Sequence, residues 1–142
     1  MKLLVAVDGS APALDALSYA INLSKLLAAS PNSIALISVH DDIGLRRAEP
    51  FVGHAAIADY LRERSEIDLR PAIALLDAAG IATEVLVRTG HVVHEIVEAA
   101  KAGQFDLIVL GAKGRGAIRD LIIGSVAQRV LAMAAGPVLL VK

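Results

Sequence analysis

Short runs of continuously apolar residues alternate with longer stretches in which apolar residues recur periodically, and this alternation persists along the whole chain. Residues 3–7 are apolar throughout and stop at the turn cluster Asp8-Gly9-Ser10. Such a run predicts a strand covered on both faces. From residue 11 to about residue 29, Leu14, Leu17, Ile21 and Leu27 follow a helical period. Ser10 suits the N-cap of that helix, and Pro12 falls in the first turn, where a missing N–H is tolerated. Further strands are predicted over 34–39, 81–87, 107–110 and 138–141, and further helices over 54–79, 92–102 and about 126–134. Gly80 and Gly103 stand where the second and third helices should stop. Pro71 should kink or split the helix over 54–79, because proline removes an internal hydrogen bond. Residues 41–53 are polar, carry Pro50 and Gly53, and are expected to form a mobile loop.

Strand–helix alternation of this kind predicts an α/β fold with parallel strands, right-handed crossovers and helices on both faces of the sheet. No repeat, low-complexity segment or linker divides the 142 residues, so one domain over 1–142 is expected. Ligands of such sheets sit beyond the C-terminal strand ends, where strand order reverses. The turns of interest are therefore Asp8-Gly9-Ser10, Val39-His40-Asp41, Thr89-Gly90 and Gly111-Ala112-Lys113-Gly114.

Composition narrows the picture by exclusion. The chain is 56% hydrophobic but only 3% aromatic, so its core is aliphatic. It has no cysteine, which excludes disulfides, thiolate metal sites and thiol catalysis. Fourteen basic against fifteen acidic residues leave a net charge of −1, with no field to attract nucleic acid. Asp8 interrupts the first apolar run, which is too short for a signal peptide or a membrane span. A soluble cytoplasmic protein without membrane or nucleic-acid partners is expected.

The strongest chemical signal lies in residues 111–125. Gly111, Gly114 and Gly116 would let backbone amides approach an anion unobstructed by a Cβ. Gly124-Ser125 stands where the next helix should begin, with its free amides and positive dipole end. Lys113, Arg115 and Arg119 against Asp120 give the segment a local excess of positive charge. Two readings stay open on these residues alone. Glycines also mark ordinary turns, and Ser125-Val126-Ala127-Gln128 fits a capping box. The segment is neither a Walker A loop nor a Rossmann fingerprint.

Gly111, two residues, Gly114, nine residues and then Gly124-Ser125 resembles the signature of ATP-binding universal stress proteins. The resemblance extends over nearly the whole chain. Val5-Ala6-Val7-Asp8-Gly9-Ser10 looks like that family's opening strand and turn, and Leu36-Ile37-Ser38-Val39 like its second strand. Asp106-Leu107-Ile108-Val109-Leu110-Gly111 looks like its fourth strand, and Pro137-Val138-Leu139-Leu140-Val141 like its last. The resemblance implies an open five-stranded parallel sheet of order 3-2-1-4-5, like that of the adenine nucleotide alpha hydrolases. It implies that Ala6, Val7 and Asp8 lie beside the adenosine and that Val39 meets the adenine. Leu110, Gly111, Gly114, Arg115, Gly124, Ser125 and Val126 complete the implied site around the ribose and phosphates. The implied ligand is ATP, with or without Mg²⁺, AMP or another adenine nucleotide being the alternative. A homodimer through residues 138–141 and a regulatory protein partner are implied as well. Ala127 departs from the family, where a hydroxyl residue is common.

Asp8 could equally be a turn or cap residue. His91 and His94 have a spacing compatible with two metal ligands on one face, or are a solvated pair. His40-Asp41-Asp42 could reach a ribose or a magnesium ion, or simply end the second strand in solvent. Ser10 has no sequence-evident base, so a hydrolase triad is unsupported. The expected function is nucleotide-dependent regulation, in which ATP orders residues 41–53 and 112–123 and alters contacts with a partner. The alternatives are a slow Mg-dependent ATPase and a nucleotide-free dimeric interaction module.

Overall fold

A computed structural model describes residues 1–27, 31–41, 43–114 and 123–142. In chain order the elements are β1 (Lys2–Ala6), α1 (Ala11–Leu26), β2 (Ser33–His40), α2 (Ile43–Val52), α3 (His54–Ala78), β3 (Thr83–Thr89), α4 (Val92–Ala102), β4 (Leu107–Gly111), α5 (Ser125–Met133) and β5 (Val138–Val141). The five strands form one sheet in the order β3-β2-β1-β4-β5, and every pairing is parallel. This is the order implied by the family resemblance.

The apolar runs are uninterrupted because each central strand buries both faces. On β1, Leu3 and Val5 pack with Leu17, Ala20 and Ile21 of α1 and Leu69, Ala72 and Leu76 of α3. Leu4 points the other way, among Val93, Ile96 and Ala99 of α4 and Val130 of α5. β2 alternates likewise, with Ile34 and Leu36 on the first side and Ala35 and Ile37 on the second. Removing a fully buried leucine side chain from water contributes roughly 1.5–3 kcal/mol, which secures the register of strands too short to be stable alone. At the base of the sheet, Lys2 N–H donates to Asp106 at 2.7 Å and Lys2 Nζ donates to the Gly103 carbonyl at 2.8 Å.

Three expectations need correction. Residues 43–52 are the helix α2, not a loop. Asp41 Oδ1 accepts from Ile43 N–H at 2.9 Å and starts it. Its described side chains are almost all exposed, so no buried face imprinted an apolar period on the sequence. Pro71 does not split α3, which runs unbroken for 25 residues. The proline is exposed while Asp68, Leu69, Ala72 and Leu76 around it are buried, so water can reach the carbonyl it leaves unpaired. The third strand starts at Thr83 rather than residue 81, after Gly80 at φ +71° and a Schellman-type bond from Ile81 N–H to the Leu76 carbonyl at 3.0 Å. No helix among the described residues is long and apolar enough to cross a membrane.

Pro71→Ala restores a donor for the Ile67 carbonyl in an exposed helix interior. An increase in stability of about 1–2 kcal/mol is expected, read from the midpoint of urea unfolding.

Candidate functional site

β1 neighbours β2 on one side and β4 on the other. The connections leaving β1 and β4 depart to opposite faces, because α1 packs with the first core and α5 with the second. A crevice must therefore open between their C-terminal ends. The crevice holds a cavity of about 490 Å³, within the usual range for small-molecule sites.

The cavity continues the α4–α5 side of the core outward, at a level where the side chains become small. Ala6, Gly111, Gly124 and Ala127 line it where larger residues would fill it. Val7, Asp8, Val39, Leu110, Gly114, Ser125 and Val126 also line it. The site residues implied by the resemblance thus surround one space, except Arg115, which lies outside the described residues together with Gly116, Arg119 and Asp120. Ala13, Ile37, Val92, Ile96 and Lys113 line the same cavity; the first four stand outside the site implied by the sequence, and Lys113 entered it only as part of a local positive charge. Ile37, Val92 and Ile96 read as core positions, and only their place at the upper edge of the core turns them towards the cavity. Lys113 was counted as local charge, although its position between two strand-end glycines was a usable signal.

Asp8 does the work of a turn residue and also faces the cavity. Its Oδ1 accepts from Ser10 N–H at 3.0 Å and from the Ser10 hydroxyl. Ser10 caps α1, its Oγ accepting from Ala13 N–H at 3.4 Å. Oδ2 of Asp8 lies opposite Gly114, where an added Cβ would stand only 3.0 Å away. A side chain on the β4 loop at this position would have to push the Asp8 carboxylate aside by a few tenths of an ångström.

The ends of the glycine-bearing segment are tied. Gly124 N–H donates to the Ala112 carbonyl at 2.7 Å, and Ala112 N–H donates to the Val141 carbonyl of β5 at 2.7 Å. The capping-box alternative requires correction: Gly124, not Ser125, caps α5, with no side-chain cap bond. Gln128 N–H donates to the Gly124 carbonyl, while its side chain reaches Ile123. Helix geometry leaves the amides of Ser125, Val126 and Ala127 without an intrahelical acceptor, at the wall of the cavity. Lys113 adds a cation to the same wall. Such a wall can receive an anion, and the aliphatic side formed by Ile37, Val39, Val92 and Ile96 can receive a flat apolar group.

The remaining candidates lie elsewhere. His40 is half-buried rather than solvated, its Nε2 2.7 Å from Ser65 Oγ on α3. The Ser65 hydroxyl is also within hydrogen-bond distance of the Leu61 carbonyl, at 2.8 Å. Asp41 is occupied with the start of α2, and Asp42 lies outside the described residues. His91 and His94 are exposed with their rings edge to face at 5.2 Å. No group of three His, Cys, Asp or Glu suited to a metal occurs among the described residues.

A sequence profile described as the universal stress protein family matches residues 1–142. Universal stress protein MJ0531 of Methanocaldococcus jannaschii is 32% identical over 142 residues, covering 99% of this chain and 81% of its own length. The solved structure of the hypothetical protein MJ0577 is similar at a TM-score of 0.85 and 25% identity, over 99% of this chain and 94% of that one. A universal stress protein solved in complex with cAMP shares the fold at a TM-score of 0.73 and 24% identity, over 100% of this chain and 97% of its own.

Two glycines of the cavity should respond differently to substitution. A Cβ at Gly111 would meet the Pro12 carbonyl oxygen at 2.7 Å and its carbon at 2.8 Å, both backbone atoms, whereas the nearest atom at Gly124 is 3.4 Å away. Gly111→Ala is expected to cost about 1–3 kcal/mol of stability, and Gly124→Ala no more than about 0.5 kcal/mol, by urea titration of both variants.

Proposed function

We propose, because the chain belongs to the universal stress protein family and carries that family's ATP-associated glycine spacing at a cavity of suitable size, that it binds ATP in the crevice between β1 and β4. The observation that carries this reading is the convergence of Ala6, Val7, Asp8, Val39, Leu110, Gly111, Gly114, Gly124, Ser125 and Val126 on one cavity of about 490 Å³. Arg115 joins the proposed site from sequence alone. The aliphatic side suits adenine, with Val39, Val92 and Ile96 on its faces. Asp8 is suited to accept from ribose hydroxyls. The α5 amides, Lys113 and the glycine backbone suit the phosphates, with magnesium carried by the nucleotide. The cAMP complex of a protein of the same fold supports an adenine nucleotide here as a class.

Holding the nucleotide, rather than consuming it, is the proposed role. The protein is a regulator in the cytoplasm whose occupied state presents a different surface to a protein partner. β5 stands at a sheet edge, and all four of its residues are half-buried and apolar, which supports a homodimer paired through Val138–Val141. The bond from Ala112 to Val141 would link that pairing to the phosphate end of the site. Lys113 on the cavity wall favours slow Mg-dependent hydrolysis as a second reading, since a cation there can stabilise charge on a leaving phosphate.

Millimolar ATP is expected to raise the melting temperature, an occupancy of 100 times Kd being worth about 2.7 kcal/mol. Gly124→Val, which pushes a branched side chain against the cavity wall, is expected to reduce that rise sharply. No rise in the parent protein overturns ATP binding. Mass spectrometry of ligand released by denaturation should recover ATP, and AMP or a cyclic nucleotide would reassign the ligand. ATP turnover that survives Gly124→Val would come from a contaminant and would remove the hydrolytic reading.

A further inference from the structure

The sheet edge opposite β5 is formed by β3, Thr83–Thr89, a strand of seven residues whose sequence is Thr-Glu-Val-Leu-Val-Arg-Thr. It reads the same in both directions about Leu86, except that Glu84 mirrors Arg88. A strand with this pattern is complementary to an antiparallel copy of itself. We propose that β3 is a self-association surface, on which a second copy of this chain pairs antiparallel about a two-fold axis at Leu86, independently of nucleotide and of β5.

The backbone has the phase this pairing needs. Gly90 N–H donates to the His40 carbonyl of β2 at 2.9 Å. Peptide groups alternate in direction along a strand, so the even-numbered residues of β3 face β2. Thr83, Val85, Val87 and Thr89 therefore turn their N–H and C=O groups outward. In the two-fold register, Val85 lies opposite Val87 of the second copy and Thr83 opposite its Thr89. Outward-facing groups thus meet outward-facing groups, as a ladder of hydrogen-bonded pairs requires. Glu84 falls opposite Arg88 of the second copy at a non-hydrogen-bonded position, where side chains approach most closely. Leu86 meets its own copy on the axis.

The side chains agree with the backbone. Val85 and Val87 are 38% and 49% exposed, a sizeable apolar exposure on an edge strand. Natural edge strands are commonly protected by charged side chains, a bulge or a proline. β3 has no proline and pairs with β2 without a bulge, and its two charges, Glu84 and Arg88, are of opposite sign, so they complement rather than repel a second antiparallel copy. Glu84 and Arg88 are exposed, and no ion pair to either occurs among the described residues. A two-fold interface must be self-complementary. Two Glu–Arg pairs flanking Leu86 meet that condition, and a one-residue slip would lose it.

The test uses charge reversal. Glu84→Arg leaves Arg at both positions and Arg88→Glu leaves Glu at both, so each variant repels its own copy. A mixture of the two restores both opposite-charge pairs. Sedimentation velocity over a concentration series is expected to show self-association of the parent protein, about tenfold or more weaker in either variant alone and recovered on mixing. Any contribution from β5 is common to all samples and cancels. Because the chain has no cysteine, Leu86→Cys adds a clean reporter. It is expected to form a disulfide-linked dimer under mild oxidation, much faster than Glu84→Cys, whose thiol would face Arg88 of the second copy. Association unchanged by either reversal, failure of the mixture to recover it, or equal cross-linking at 84 and 86 would each overturn the proposal.

Discussion

The burial of β1 on both faces and along both edges is the constraint from which the rest follows. Leu3, Leu4 and Val5 are wholly inaccessible to solvent, so β1 can sit nowhere but the middle of the sheet. With β2 on one side and β4 on the other, the chain must cross one face to reach β2 and the opposite face to leave β4. Those departures part at the C-terminal ends of β1 and β4, and the resulting gap is the cavity. A site of this kind does not need to be carved out of the core. It is where the core stops being filled.

Small residues keep the gap open, and backbone contacts hold its rim. Gly111 packs so closely on Pro12 that no side chain fits between the end of β4 and the start of α1, while Gly114 lies against Asp8. The same rim is tied to β5 through Ala112 and Val141. Strand edge, glycine-bearing segment and α5 N-terminus therefore share one hydrogen-bonded frame. A contact on β5 acts on atoms one hydrogen bond away from the glycine-lined end of the cavity, whereas β3 lies beyond β2 and β1 and shares none of that frame. The two sheet edges are consequently unlike in what they can transmit, although each ends the sheet.

Much of the architecture was legible in the sequence because buried parallel strands leave unmistakable apolar runs, and Gly80 and Gly103 mark helix ends by chemistry alone. α2 was not legible. Its described side chains are almost all exposed, so no period distinguished it from the loop that Pro50 and Gly53 suggested. Pro71 misled for the converse reason: tertiary burial of Leu69, Ala72 and Leu76 outweighs the local cost of a missing donor. Val92 and Ile96 looked like core and are core, yet their place at its upper edge also makes them cavity wall.

By itself the sequence determined the class of fold, the family, and the turns at which a ligand could sit, since these depend on local periodicity and on spacing between glycines. Only the tertiary structure decided that the glycines of β4, the turn after β1 and the first turn of α4 face one space. It also decided that Gly124 rather than Ser125 caps α5, and that alternate peptide groups of β3 face outward. Each of these depends on which strands are neighbours and which face a residue presents. That information lies between segments far apart in the chain, where no local pattern can carry it.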